Sequence, residues 1–326
     1  MKEDYLVLAF YALTQIEEPH REVKRWKRFL ESIDAMGRIY INEDGVNSQM
    51  SVARADSTKF YEWFLNDYPG TEIKVHQYPE HAFPKVTVKY REQLAAMDRD
   101  FDLSQGGEHV SSERWAKMVE ERDEDTVILD VRNDYEWDVG HFEGAERPEL
   151  KTFREFPKLA ENLAKTRDLK KTKVMMYCTG GIRCELYSCL MKDEGFENVY
   201  QLDGGVIKYG LEQGNKQWKG NLFVFDDRLV VPISDKEKNE VISECLHCKT
   251  KIDTYYNCAN MDCNNLFLSC LKCAEKMKGC CSAECVDAPR RRPFQLTENP
   301  KPFRKLPFEE KQALTPTDAA SCQSAQ

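Results

Sequence analysis

The hydrophobic pattern changes period several times along the chain, and each change marks an element. An apolar run at residues 5 to 12 predicts a strand. Glu18-Pro19 then opens a helix with Val23, Trp26, Phe29, Leu30 and Ile33 at helical spacing, and Gly37 is expected to close it. Residues 38 to 42 and 46 to 52 predict two strands joined across Glu43-Asp44-Gly45, a hairpin-like turn. A second helix is expected over residues 57 to 65, with Phe60, Trp63 and Phe64 on its apolar side, followed by strand-like runs at 71 to 76 and 85 to 90. The order β-α-β-β-α-β over residues 1–97 is that of a ferredoxin-like α+β domain. Trp26 and Trp63 belong to its core on this spacing, rather than to a base-stacking platform. The architecture hosts many functions and fixes none.

Residues 98–110 are polar, contain Gly106-Gly107, and predict a linker. From 111 to 233 strands alternate with helices. Ser111-Ser112-Glu113 opens a helix carrying Trp115, Met118 and Val119, and short apolar strands follow at 127 to 131, 174 to 177 and 198 to 202, the last ending at Asp203-Gly204-Gly205. This alternation implies α/β architecture with a parallel sheet covered on both faces. Reactive groups in such sheets gather at the carboxyl ends of the strands. Residues 221 to 233 predict a further strand pair. A cysteine-rich module follows over 240–292, and the proline-rich, polar stretch 293–326 predicts a disordered tail.

Composition narrows the picture. A chain of 326 residues with 41% hydrophobic residues can support two or three cores. A net charge of -9 argues against a generally basic nucleic-acid binder and leaves room only for local basic patches. Two candidates are Lys165, Arg167, Lys170, Lys171 and Lys173, and Arg290-Arg291-Arg292 with Lys301, Arg304 and Lys305 beyond. Most of the thirteen cysteines follow Cys245 in paired spacings, which suits metal ligands in a reducing compartment better than a disulfide framework. Glu3 and Asp4 occupy what would be the positive region of a signal peptide, and no apolar run is long enough to cross a bilayer. The expectation is a soluble cytoplasmic protein with no membrane partner.

The candidate chemistry centres on Cys178-Thr179-Gly180-Gly181-Ile182-Arg183, continued by Cys184-Glu185. A buried strand precedes it, and residues 186 to 192 read as a helix. A cysteine between a strand end and a helix N-terminus sits among backbone N–H groups without partners, and their field favours the thiolate, the nucleophilic form. Two glycines let several N–H groups face one anion, and Arg183 adds a fixed positive charge. Cys178 and Arg183 are therefore the candidate catalytic residues, with Thr179, Gly180, Gly181 and Ile182 forming the loop.

This loop resembles the active-site loop of a rhodanese domain. Asp130-Val131-Arg132-Asn133 and Gly140-His141-Phe142-Glu143-Gly144-Ala145 resemble other rhodanese signatures. The fuller pattern, C-T-G-G-I-R-C-E with D-V-R-N-x-Y-E before it and L-D-G-G-V after it, resembles the rhodanese-containing tRNA uridine hydroxylases, from about Tyr5 to about Pro293. The resemblance implies a central rhodanese-like domain behind a ferredoxin-like one. It implies oxygen-dependent conversion of the wobble uridine (U34) in the tRNA anticodon to 5-hydroxyuridine, with dioxygen as co-substrate. The Cys-x4-Arg spacing is one residue shorter than in the related cysteine phosphatases, so phosphatase chemistry is disfavoured. Sulfur transfer through a Cys178 persulfide is the competing enzyme reading, and a non-catalytic RNA- or protein-binding adaptor is the third, which the intact loop argues against. In the hydroxylase reading the Cys178 thiolate adds to C6 of uracil and makes C5 electron-rich, while loop N–H groups and Arg183 stabilise the developing oxyanion. Asp130 and Arg132 are expected to brace the loop. No flavin or nucleotide motif is visible.

Cys245-x-x-Cys248, Cys258 with Cys263, Cys270-x-x-Cys273, and Cys280-Cys281 with Cys285 form four successive ligand pairs, a strong zinc signal. Cross-bracing would place the first and third pairs on one structural zinc ion and the second and fourth on another. A single ion on Cys245, Cys248, Cys270 and Cys273 is the sparer arrangement. Spacing alone does not choose between Cys280 and Cys281.

Overall fold

The computed structural model describes residues 4–99, 101–237 and 239–293. The tail predicted over 293–326, with Lys301, Arg304 and Lys305, lies outside them apart from Pro293. The chain forms two compact units, Met1–Glu240 and Val241–Gln326.

The first unit begins with the split βαβ pattern: β1 (Tyr5–Leu13), α1 (Pro19–Leu30), β2 (Ala35–Asn42), β3 (Gly45–Ala53), α2 (Ser57–Asp67) and β4 (Lys74–Tyr78). An added strand, β5 (Val86–Tyr90), completes a sheet of order β4-β1-β3-β2-β5. Strand parity divides its two faces. Leu8, Phe10, Ile39, Ile41, Val46 and Met50 point one way and bury against Trp26, Leu30, Phe60 and Phe64 of the two helices. Trp63 stacks on Phe29 at 4.0 Å beside this core. Cross-strand partners Tyr11–Asn47–Tyr40 and Ala9–Gln49–Arg38 form two rows on the opposite face. Gly37 does not close α1 as expected. It lies inside β2, paired with Met50 and donating its N–H to Lys85 O at 3.1 Å, because the helix has already ended at Leu30.

The expected linker over 98–110 is partly structured. Its end, β6 (Glu108–Val110), pairs with Tyr200–Leu202 and forms an edge of the second sheet, since the short segment supplies partners for otherwise open backbone groups. The rest of that sheet is β7 (Thr126–Asp130), β9 (Ala145–Glu146), β10 (Lys173–Tyr177) and β11 (Asn198–Leu202), in the all-parallel order β6-β11-β10-β7-β9. Between β7 and β9 lie α4 (Asp134–Val139) and β8 (Gly140–Phe142). Both sheet faces are covered. Val174 and Met176 pack toward α5 (Phe156–Thr166) and α6 (Ile182–Asp193). Met175 and Tyr177 pack toward α3 (Ser112–Glu120) and α7 (Gly205–Gln213). Short antiparallel strands β12 (Trp218–Gly220), β13 (Leu222–Phe223) and β14 (Val230–Val231) end the unit, the last two being the strand pair expected over 221 to 233. Among the described residues no helix is long and apolar enough to cross a membrane.

The second unit is small. Strands β15 (Tyr255–Asn257) and β16 (Leu266–Leu268) pair antiparallel, and α8 (Leu271–Lys276) and α9 (Ala283–Val286) follow. Its apolar core contains Tyr256, Phe267 and Ala274 together with cysteines, so the sulfurs must supply much of what a larger core supplies elsewhere.

Candidate active site and cysteine centres

Cys178 follows β10 directly, and α6 begins a turn earlier than the sequence suggests, at Ile182. Arg183, Cys184 and Glu185 are thus already helical, and the loop itself is Cys178 to Gly181. Gly181 has φ +107°, and a Cβ there would lie 2.9 Å from Tyr11 Oη, so glycine alone fits without strain. Its N–H donates to Cys178 Sγ at 3.1 Å. The Asp203-Gly204-Gly205 turn locks the loop from behind. Val206 and Ile207 N–H, in the first turn of α7, donate to the Cys178 and Thr179 carbonyls at 3.0 and 3.1 Å. A Cβ on Gly205 would sit 2.6 Å from Cys178 O, which explains glycine at this position.

Burial pushes the Cys178 thiol up, but the Cys184 thiol, the Arg183 charge and the N–H groups of Cys184 and Gly181 outweigh it and bring it down to about 5. The thiolate is therefore the resting form at neutral pH. Cys184 moves the other way: burial and the neighbouring Cys178 sulfur raise it well above an ordinary thiol.

Arg183 does not stand free at the rim. Its guanidinium grips Glu136 with bonds of 2.7 and 2.9 Å and also donates to Thr179 Oγ1 at 3.1 Å. Glu136 is fully buried and further accepts from Thr179 Oγ1 and the Asn133 N–H. Burial favours its neutral form, yet Arg183 and the other donors prevail and hold its pKa below the usual carboxylate range. In the sequence this glutamate stands out only inside the D-V-R-N-x-Y-E pattern, and its pairing across the fold has no local signal.

Asp130 and Arg132 form a second buried pair, with bonds of 2.8 and 2.6 Å. Arg132 also donates to Gly140 O at 2.6 Å, and Asp130 accepts from Tyr177 Oη at 2.7 Å. Tyr177 immediately precedes Cys178, so the pair touches the strand that carries the loop. His141 stacks on Trp137 at 3.6 Å and does not line the cavity described next.

A cavity of about 390 Å³ opens above Cys178. Thr179, Gly180, Ile182 and Arg183 line its floor, and Tyr135, Phe153 and Phe225 give it aromatic walls. The facing wall comes from the ferredoxin-like sheet: Tyr11, Arg38, Tyr40, Asn47 and Gln49 all line it. These residues occupy the two cross-strand rows opposite the helices. Their signal was available in principle, as polar and aromatic side chains at alternate positions of strands whose other face is apolar. Two contacts fasten this sheet to the loop. Tyr11 Oη donates to Glu185 Oε1 at 2.7 Å, and Lys74 Nζ donates to Gly180 O at 3.3 Å. Glu185 also meets His109 Nε2 at 3.0 Å. Glu185 thus joins the two sheets as well as lying in the first turn of α6.

In the second unit, Cys245, Cys248, Cys270 and Cys273 form one group of ligand atoms, and Cys258, Cys263, Cys281 and Cys285 another, each within 4.8 Å of one another. The Sγ–Sγ distances of 3.6 Å for Cys248–Cys270 and 3.7 Å for Cys263–Cys281 are close to the roughly 3.8 Å edge of a tetrahedron with metal–sulfur bonds of about 2.3 Å. The donor set fits a metal. Cys280 falls outside both groups and donates to Cys285 O at 3.3 Å. Of the basic candidates, Lys173 pairs with Asp123, Arg167 with Glu146, and Arg290 with Asp262.

Comparison with known proteins agrees with this geometry. Residues 5–94 match the UPF0176 acylphosphatase like domain, 113–212 the rhodanese-like domain and 219–286 the rhodanase C-terminal family. A tRNA uridine(34) hydroxylase of Protochlamydia amoebophila is 52% identical over 304 residues, covering 92% of this chain and 94% of its own. The proteins of that name from Chlamydia abortus and Chlamydia trachomatis serovar D are 49% and 47% identical, with 99% of this chain and 99% and 97% of theirs covered. With Cys178, its loop and the cysteine centres all inside these matches, the chain belongs to the tRNA uridine(34) hydroxylase family.

Proposed function

We propose that this protein is a tRNA-modifying enzyme that hydroxylates the wobble uridine of tRNA at C5, using dioxygen and Cys178 as the essential thiol. The observation that carries the reading is a cysteine with its thiol pKa near 5, at the floor of an aromatic-walled cavity, in a chain about half identical to proteins of that name. Aromatic walls suit a flipped-out base, which stacks on them once the anticodon loop is splayed open. Asn47 and Gln49 offer amide groups to the polar edge of uracil, and Arg38 and Lys151 offer charge to the flanking phosphates.

The Cys178 thiolate adds to C6, and the resulting enolate carbon C5 reacts with dioxygen. Arg183, held by Glu136, acts by keeping the thiolate charged and the loop in shape. Asp130 and Arg132 position the loop through Tyr177. The eight grouped cysteines would hold two structural zinc ions, four sulfurs to each, with a structural rather than a catalytic part. The cytoplasm, where tRNA is modified and thiols stay reduced, is the matching compartment.

The test uses purified protein, tRNA lacking the modification and isotopically heavy dioxygen, followed by nucleoside mass spectrometry. The expected result is heavy oxygen in 5-hydroxyuridine, reduced on the order of a thousandfold or more in Cys178→Ser. Unlabelled uridine together with a persulfide on Cys178 would replace the reading with sulfur transfer.

A further inference from the structure

Hydroxylation by dioxygen needs one more electron pair than uracil supplies. The C5–H bond gives two of the four electrons that dioxygen takes, and the second oxygen atom must be reduced by something else. On the hydroxylase reading above, we propose that Cys184 is a second catalytic cysteine, which resolves Cys178 after Cys178 has removed the second oxygen atom, so that the two thiols furnish the missing pair.

The geometry separates the two sulfurs by access. Cys178 lines the cavity and Cys184 does not, yet both are fully buried. The two cysteines share one buried cluster, and each shifts the ionisation of the other. The loop is closed by Gly181, whose N–H reaches Cys178 Sγ at 3.1 Å while its carbonyl accepts from the Cys184 N–H at 2.9 Å. Cys184 thus lies one tight turn from the nucleophile and outside the cavity lining. Cys189, on the same helix, is directed elsewhere: its thiol donates to the Glu185 and Asp102 carbonyls at 3.2 and 3.5 Å.

The chemistry balances. Cys178 thiolate bonds to C6, and C5 takes up dioxygen as a hydroperoxide. Loss of the C5 proton breaks the C6–sulfur bond and frees the thiolate. That thiolate attacks the outer peroxide oxygen, which breaks the O–O bond, leaves 5-hydroxyuridine and makes Cys178 a sulfenic acid. Cys184 then attacks the Cys178 sulfur, displacing the oxygen as water and forming a Cys178–Cys184 disulfide. The sum is uracil, dioxygen and two thiols giving 5-hydroxyuracil, water and one disulfide. A small external thiol reduces the disulfide before the next turnover. Burial and then the Cys178 thiolate keep Cys184 protonated, and the second of these holds ends once Cys178 is oxidised and neutral.

The experiment follows a single turnover. Enzyme is fully reduced, stripped of thiol, mixed with excess unmodified tRNA and heavy dioxygen, then quenched with an alkylating agent. The expected result is about one labelled 5-hydroxyuridine per enzyme, matched by an equal amount of Cys178–Cys184 disulfide in the peptide map, with further product only after dithiothreitol is added. In Cys184→Ala and Cys184→Ser the same turnover leaves Cys178 as a sulfenic acid, captured by a 1,3-dione probe. Cys189→Ala forms the disulfide as the wild type does. Labelled product with both wild-type thiols still free overturns the inference and leaves the hydroxylase reading standing. An absence of labelled product from wild-type enzyme even with dithiothreitol overturns the hydroxylase reading itself.

Discussion

Two regions of this protein are built on cysteine sulfur, and they use it in opposite ways. At the active loop one thiolate is surrounded by N–H donors, an arginine and a second thiol, and the cavity leaves it one open side. In the C-terminal module each of the eight grouped sulfurs has three others near it, with ligand atoms within 4.8 Å of one another. The first leaves its lone pairs available to a substrate, whereas the second is arranged so that a metal could take them up and hold a small fold together. What a cysteine does is set by whether its neighbours are hydrogen-bond donors or other sulfurs.

The largest effect should come from removing the metal. Structural zinc contributes about 10–16 kcal/mol to the folding of small cysteine modules. A strong chelator, or Cys270→Ser, should therefore unfold residues 241–293 while the first unit keeps its melting transition. Calorimetry with metal analysis checks this, and an unchanged module after complete metal loss would break the comparison.

A smaller effect is expected at the carboxylate behind the loop. Glu136→Ala leaves the largely covered Arg183 side chain, 12% exposed, without its carboxylate, and breaking such a pair costs about 3–5 kcal/mol. Denaturant titration of the first unit should show this loss. The Cys178 thiol pKa should rise in the same variant, because the loop that supplies its donors loosens.

The smallest effect is a flat line. With the Cys178 pKa near 5, lowered in the fold, the nucleophilic form is lost as pH falls through 5 and is complete above about 7. Alkylation of Cys178 by iodoacetamide should barely change between pH 6 and 8, whereas an ordinary thiol of pKa about 8.5 accelerates roughly 80-fold. A steep rise across that interval would show that the donors do not hold the thiolate.

The sequence carried the parts of this site that are local. A strand, a glycine pair and a helix start are read within a dozen neighbours, so the Cys178 loop and the order of elements were legible. Ligand pairs are local too, and their alternation offered the cross-braced grouping beside a single-ion one, but the grouping of the second set around Cys281 rather than Cys280 is visible only in the fold. The ends of elements were less secure. Gly37 has the look of a helix stop but serves inside a strand, because the pairing of β2 with its neighbours outweighs what glycine does alone.

What only the tertiary structure decided depends on groups distant in the chain. Glu136 meets Arg183, Tyr11 meets Glu185, and Lys74 meets the Gly180 carbonyl because two sheets pack face to loop. Arg38, Tyr40, Asn47 and Gln49 became a cavity wall only when the sheet's second face was turned toward Cys178. Periodicity records which side chains share a face, since that follows from backbone geometry alone. It does not record what that face meets, since packing is settled by the shape and burial of the whole unit.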